Sequence, residues 1–134
     1  MSKARKSSAS ASRADPPAPQ LRARIWVDVG TRAALTEAGA DLLEQIAACG
    51  SLSAAARKLQ FSYRRAWMLL DAMNTHWGCP VARTATGGMH GGGATLTEFG
   101  HALLAAYRHV QVQMEFSLDQ EKASFAKSIT QAKP

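Results

Sequence analysis

The chain has 134 residues, enough for one ordinary domain. Apolar residues make up 46% of it, no apolar run approaches the roughly 18 residues of a membrane span, and no signal-peptide core is present. The net charge of +6 excludes a strongly acidic protein, and Cys49 and Cys79 read as reduced thiols of a cytoplasmic protein rather than a disulfide framework.

Residues 1–20 are rich in Ser, Ala, Lys, Arg and Pro, with no large apolar side chain after Met1. Such a segment cannot offset its ordering entropy and is expected to be a disordered basic tail. It serves either as an arm brushing a polyanion or as a solubilising segment. A domain is expected over 21–117. Arg24 to Val29 alternates and is β-rich, which predicts a short strand. Thr36 predicts an N-cap for a first helix carrying Ala38, Leu42, Leu43 and Ile46 at helical spacing, with Gly50 as its stop. Ser53 predicts the cap of a short second helix, Ala54 to Leu59, and its hydroxyl is also a candidate interface group.

After Gln60 and Phe61, Ser62 predicts the cap of a third helix. Ala66, Leu70, Met73 and Trp77 fall on one stripe of that helix, and Arg64, Met68, Asp71 and Thr75 lie opposite it. Trp67 and Trp77 have two readings, base stacking or core, and on the inner side of this helix both are expected to be core. Pro80 is expected to end this helix. Val81 to Thr84 and Ala94 to Leu96 then read as strands around a glycine-rich tip, and Thr97 caps a long last helix. Whether residues 118–134 extend that helix or fray is left open by the sequence. The order β-α-α-α-β-β-α is that of a winged helix-turn-helix, a mainly α, α+β fold. Positive charge concentrates in two places. Residues 1–24 hold six basic residues against one acidic, and residues 57–108 hold six against two. A polyanionic partner fits that distribution, as does an ordinary solvated surface.

In a helix-turn-helix the second helix of the pair enters the major groove with its N-terminal residues nearest the base edges. Arg64 and Arg65 stand there, and arginine can pair with guanine through two donors at once. Ser62 can reach phosphate. Tyr63 has two readings, a phosphate contact or packing against the turn. Met68 also has two, contact with a thymine methyl or incidental exposure. The glycine run lacks the Gly-Lys-Ser/Thr of a phosphate-cradling nucleotide loop. His76, Cys79, His90 and His101 match no usual zinc spacing. Asp71 and Glu98 have no evident partner, and Cys49 lies at a helix end expected to be packed. The chain is therefore expected to be no enzyme and to need no metal or cofactor.

The stretch GSLSAAARKLQFSYRRAWMLLDAMN, followed by VART and TGGMHGGGATLTEFG, resembles the N-terminal DNA-binding domain of the molybdenum-responsive ModE-type regulators, relatives of the LysR-type winged helix-turn-helix. The likeness covers roughly residues 24–116. Its most specific pieces are Ser62-Tyr63-Arg64 with Ala66-Trp67, and the Thr86-Gly87-Gly88 to Gly93 segment leading into Leu96-Thr97. The resemblance implies a homodimeric transcriptional regulator binding a near-palindromic operator in double-stranded DNA, with no membrane association. It places Ser62, Tyr63, Arg64 and Arg65 in the recognition segment and Arg83, Thr86, Gly87, Gly88 and His90 on the wing. The last helix is expected to supply a dimer seam through Leu103, Tyr107, Val110 and Met114, with packing inside the chain as the other use of that face. Gln60 stands where the family commonly has glycine. The family's C-terminal molybdate-binding modules have no counterpart in these residues, so molybdate is not expected to bind this chain alone and the effector is left unassigned. The competing expectation is a winged-helix interaction module that pairs with a separate sensor protein.

Overall fold

The computed structural model describes residues 17–85 and 92–134. The described residues form two units, one within Ala23–Glu115 and the other of residues 17–22 and 116–134.

The first unit opens with an antiparallel hairpin, β1 (Val27–Val29) and β2 (Arg32–Leu35), paired as Val29↔Arg32, Asp28↔Ala33 and Val27↔Leu35. Gly30 makes the turn possible with φ +64°, which only glycine adopts without penalty. The single strand expected over Arg24 to Val29 is thus shorter, and it has a partner that the sequence reading missed. Arg-Ala-Ala-Leu carries no β-branched or aromatic residue, and its propensity is helical. Burial of Ala34 and Leu35 outweighs that propensity.

Helix α1 spans Glu37–Cys49. The Thr36 hydroxyl accepts from Gly39 N at 3.2 Å, and Gly50, left-handed at φ 68°, closes the helix by donating to Ile46 O at 2.8 Å. Ala40, Leu42, Leu43 and Ile46 bury one face. Helix α2 spans Leu52–Leu59, and its cap is Ser51 rather than Ser53: the Ser51 hydroxyl accepts from Ala54 N at 3.2 Å. Ser53 lies within the first turn, its hydroxyl 3.1 Å from that of Ser51. The physical reason is Leu52, a buried residue that draws the start of the helix one step earlier. Ala55 and Ala56 are fully buried, which lets the backbone of α2 approach its neighbours closely.

Gln60 takes φ +60°, the one non-glycine residue with positive φ among those described, and its N–H satisfies the carbonyls that end α2. Helix α3 follows at Tyr63–His76, capped by the Ser62 hydroxyl, which accepts from Arg65 N at 3.0 Å. Ala66, Leu70 and Met73 are buried as the stripe requires. Trp77 completes that stripe: its indole N–H donates to Ala34 O at 2.9 Å and its ring meets Phe99 edge-on, with centroids 5.7 Å apart. The helix stops at His76, before Pro80, and Gly78 (φ +73°) turns the chain.

Strands β3 (Ala82–Thr84) and β4 (Ala94–Leu96) pair antiparallel, Ala82 with Leu96 and Thr84 with Ala94. This hairpin is tied down at two points. Asn74 on α3 accepts from Val81 N at 2.7 Å and donates to Ala82 O at 3.4 Å, while Ala94 N donates to Gly50 O at 2.9 Å. Helix α4 spans Glu98–Ala132. The Thr97 hydroxyl caps it by accepting from Gly100 N at 3.0 Å and donates in turn to Pro80 O at 2.7 Å. Leu35, Leu42, Leu43, Ile46 and Val81 form the fully buried centre. Each contributes about 1.5–3 kcal/mol by leaving water. In the second unit the helix runs on to Ala132, and Phe116, Phe125 and Ile129 are exposed. No helix of the described residues is long and apolar enough to cross a membrane.

Candidate nucleic-acid interface

The sequence Ser51 to His76 folds as two capped helices around a turn, and the caps decide where the basic residues point. Ser62 fixes the first turn of α3, so Arg64 falls about 160° from the buried Ala66 and Arg65 about 100° from it on one flank. Both are exposed, yet they are not equivalent. The Arg65 guanidinium lies 3.9 Å from the centroid of the Phe61 ring, a cation–π contact that holds it against the turn. Among the described residues Arg64 has neither an ion pair nor a ring beneath it. Its fork of donors is open to solvent, the condition for bidentate contact with a base edge or phosphate.

Met68 stands one turn beyond Arg64 and is 54% exposed, and Tyr63 at the head of the helix is 57% exposed. More than half of the Tyr63 surface is therefore free to meet a partner. Ser62, Arg64, Arg65, Met68, Leu69 and Ala72 line a shallow groove of about 360 Å³ along the helix. Arg65 also borders a second cleft, about 470 Å³, that reaches Trp26 and the carboxyl-bearing residues Glu37 and Asp41.

Trp67 is a correction. It was expected in the core and is 51% exposed. One step from Ala66 is a rotation of about 100°, which carries the indole off the buried stripe. Its spacing to Met73 and Leu70 looks helical, but the angle was the signal to read. Arg83 is exposed on β3. Thr86, Gly87, Gly88 and His90 lie outside the described residues. Ser53 is half-buried with its hydroxyl against Ser51, so the assigned capping role passes to Ser51.

Three further expectations change. Arg108 counted toward the basic field, but its guanidinium donates to Asp41 at 2.8 Å, Glu44 at 3.2 Å and Gln111 at 2.8 Å. Burial alone would lower its pKa. Hydrogen bonds and charge from Asp41 and Glu44 outweigh that, and the net shift is upward. Arg108 therefore staples α4 to α1. Tyr107, assigned to a dimer seam, is 3% exposed, and its hydroxyl donates to Ile25 O at 2.9 Å. It packs within its own chain. Leu103 is half-buried against the same core, whereas Val110 and Met114 remain exposed. Cys49, expected in a packed helix end, is exposed, and Cys79 is a half-buried free thiol. His76 Nδ1 is buried with no hydrogen-bond partner among the described residues.

The profile of the bacterial regulatory helix-turn-helix proteins of the lysR family matches residues 41–101, which run from α1 to the first turns of α4. The chain is 34% identical over 102 residues to the molybdenum transport protein ModE of Azotobacter vinelandii, covering 76% of this chain and 38% of that protein. It is 43% identical over 88 residues to the molybdenum-pterin-binding protein MopB of Rhodobacter capsulatus, covering 66% of this chain and 31% of MopB. With the DNA-binding transcriptional dual regulator ModE of Escherichia coli K12 it shares 41% identity over 66 residues, covering 49% of this chain and 25% of that protein. The chain thus spans well under half the length of these curated relatives. Among solved structures, the DNA-bound CbnR DBD superposes with a TM-score of 0.56 at 23% identity, covering 67% of this chain and 98% of that one. Likeness at that identity speaks to the fold. On the fold, the capped helix pair and the sequence matches together, the chain carries a ModE-type winged-helix DNA-binding domain whose helix-turn-helix is of the LysR kind.

Proposed function

We propose that this chain is a non-enzymatic, sequence-specific DNA-binding transcriptional regulator that acts in the cytoplasm as a homodimer. The observation that carries the reading is the Arg64 guanidinium, without an ion pair among the described residues, opposite the buried stripe of α3 and next to a helix N-terminus that itself attracts phosphate. Arg64 is the base reader. Arg65 and Ser62 approach the backbone, Met68 meets a thymine methyl, and Arg83 carries the wing side. The relatives support the reading by what their names say of them, ModE of Escherichia coli being a DNA-binding transcriptional regulator.

In a dimer, two copies of α3 occupy successive major grooves about 34 Å apart on a near-palindromic operator. Val110 and Met114, the exposed members of the assigned seam, supply the apolar contact. The effector is left unassigned. The test is binding of the purified chain to duplexes selected from a random pool, across a range of salt. Counterion release requires affinity that drops steeply and log-linearly with salt, together with a symmetric footprint. Salt-independent capture, or protection of a single half-site at saturation, would mean that the winged helix serves protein contacts instead.

A further inference from the structure

Tyr63, Trp67 and Asn74 share one flank of α3, within about 40° of one another around the helix axis. Asn74 shows what that flank faces. Its side chain grips Val81 N and Ala82 O, so the flank is turned toward the β3–β4 hairpin. Trp67 lies two turns nearer the N-terminus, roughly 10 Å back along the axis, on the part of α3 that leads into a groove.

The two tryptophans of this helix segment are in opposite conditions. Trp77 has its N–H on Ala34 O and its ring against Phe99. Trp67 is half exposed, and its indole N–H has no partner among the described residues. With Tyr63 and Met68 it makes three large exposed apolar side chains within six residues, on a helix whose only carboxylate is Asp71. Arg64, exposed beside this patch on α3, and Arg83, exposed on β3, favour a polyanionic occupant over an ordinary protein face.

We propose that Trp67 is a specificity-determining residue whose indole packs on a thymine 5-methyl group at the hairpin-side edge of the major groove. This rests on the DNA-binding reading above and adds a base that the arginines do not read. The chemistry leaves few alternatives for an indole in that position. Base faces are stacked out of reach in a duplex, a phosphate would engage only the single N–H of the indole and leave its ring uncovered, and the thymine methyl is the apolar group that the major groove presents. A flat, rigid ring with two side-chain torsions covers it at little entropic cost.

The experiment takes a duplex selected by the full chain and replaces each thymine in turn with deoxyuridine, which removes only the methyl. At one position per half-site the parent chain is expected to lose about fourfold in affinity, the worth of one buried methyl. Trp67→Ala should bind the thymine and uracil duplexes equally, Trp67→Phe should keep part of the discrimination, and Met68→Ala should keep all of it at that position. Circular dichroism checks that each variant retains its helix content. The proposal is overturned if no thymine position responds, or if Trp67→Ala discriminates as the parent does. It also falls if Trp67→Ala binds every duplex as tightly as the parent, which would assign the patch to a protein partner. A parent chain that binds no duplex in dilute buffer sinks the DNA-binding reading itself, a result distinct from one that binds and ignores the methyls.

Discussion

Arg64 and Arg65 are adjacent in the chain but about 100° apart around α3, so one meets open solvent and the other a ring. Arg64→Ala is expected to weaken a selected site by about 1–3 kcal/mol and to relax preference at one guanine. Arg65→Ala should weaken all duplexes more evenly, because its guanidinium is held on Phe61. Competition against single-base variants of the site measures both. Tyr107 makes a second residue-scale prediction. Burial chiefly, then the charges of Glu37 and Asp41, raise its pKa above 10.0 against the opposing pull of Arg108. A phenol that keeps its proton longer in the folded state contributes stability that is present below pH 10 and lost as pH climbs through the folded pKa. Urea unfolding on either side of that pH should show the drop. Tyr107→Phe should flatten it while losing about 0.5–1.5 kcal/mol near neutrality with the bond to Ile25.

Each element is set by its ends and its close contacts more than by its interior. The Ser51 hydroxyl receives the Ala54 N–H, so Ser51→Ala should cost about 1 kcal/mol in chemical denaturation. Ser53→Ala should cost clearly less, since the bond it loses is to another partly exposed hydroxyl. Equal losses would mean that the cap is shared. Gly100 is the tightest packing point. A Cβ there would run into the Val81 carbonyl, which is backbone and already accepts from Thr97 N. Gly100→Ala should therefore destabilise by about 1–3 kcal/mol or more and loosen the root of the β3–β4 hairpin, a loss visible in the thermal midpoint. Gln60 works the other way. It holds a positive φ without being glycine, so the turn between α2 and α3 stands with mild strain that its satisfied carbonyls offset.

At the scale of the whole molecule the basic field is narrower than composition implies, because Arg108 is consumed by Asp41 and Glu44. The apolar face of α4 also divides: Leu103 and Tyr107 turn into the core, Val110 and Met114 outward. If the proposed dimer forms through this outward face, replacing Met114 or Val110 with Asp should shift sedimentation from dimer to monomer and leave the unfolding midpoint nearly unchanged, whereas changes at Tyr107 should move the midpoint. Local signals in the sequence were enough to locate α1, α3, β4 and the caps Thr36, Ser62 and Thr97, because hydroxyls, glycines and a 3.6-residue period act within one or two turns of themselves. They were enough, too, to mark Arg64 and Met68 as outward-facing. The partner strand Arg32–Leu35, the ring under Arg65, the indole of Trp67 left in solvent and the inward turn of Tyr107 were decided only in the tertiary structure. Each depends on which distant surface arrives at that point, and burial against a neighbour carries more free energy than the few tenths of a kcal/mol by which local preferences differ.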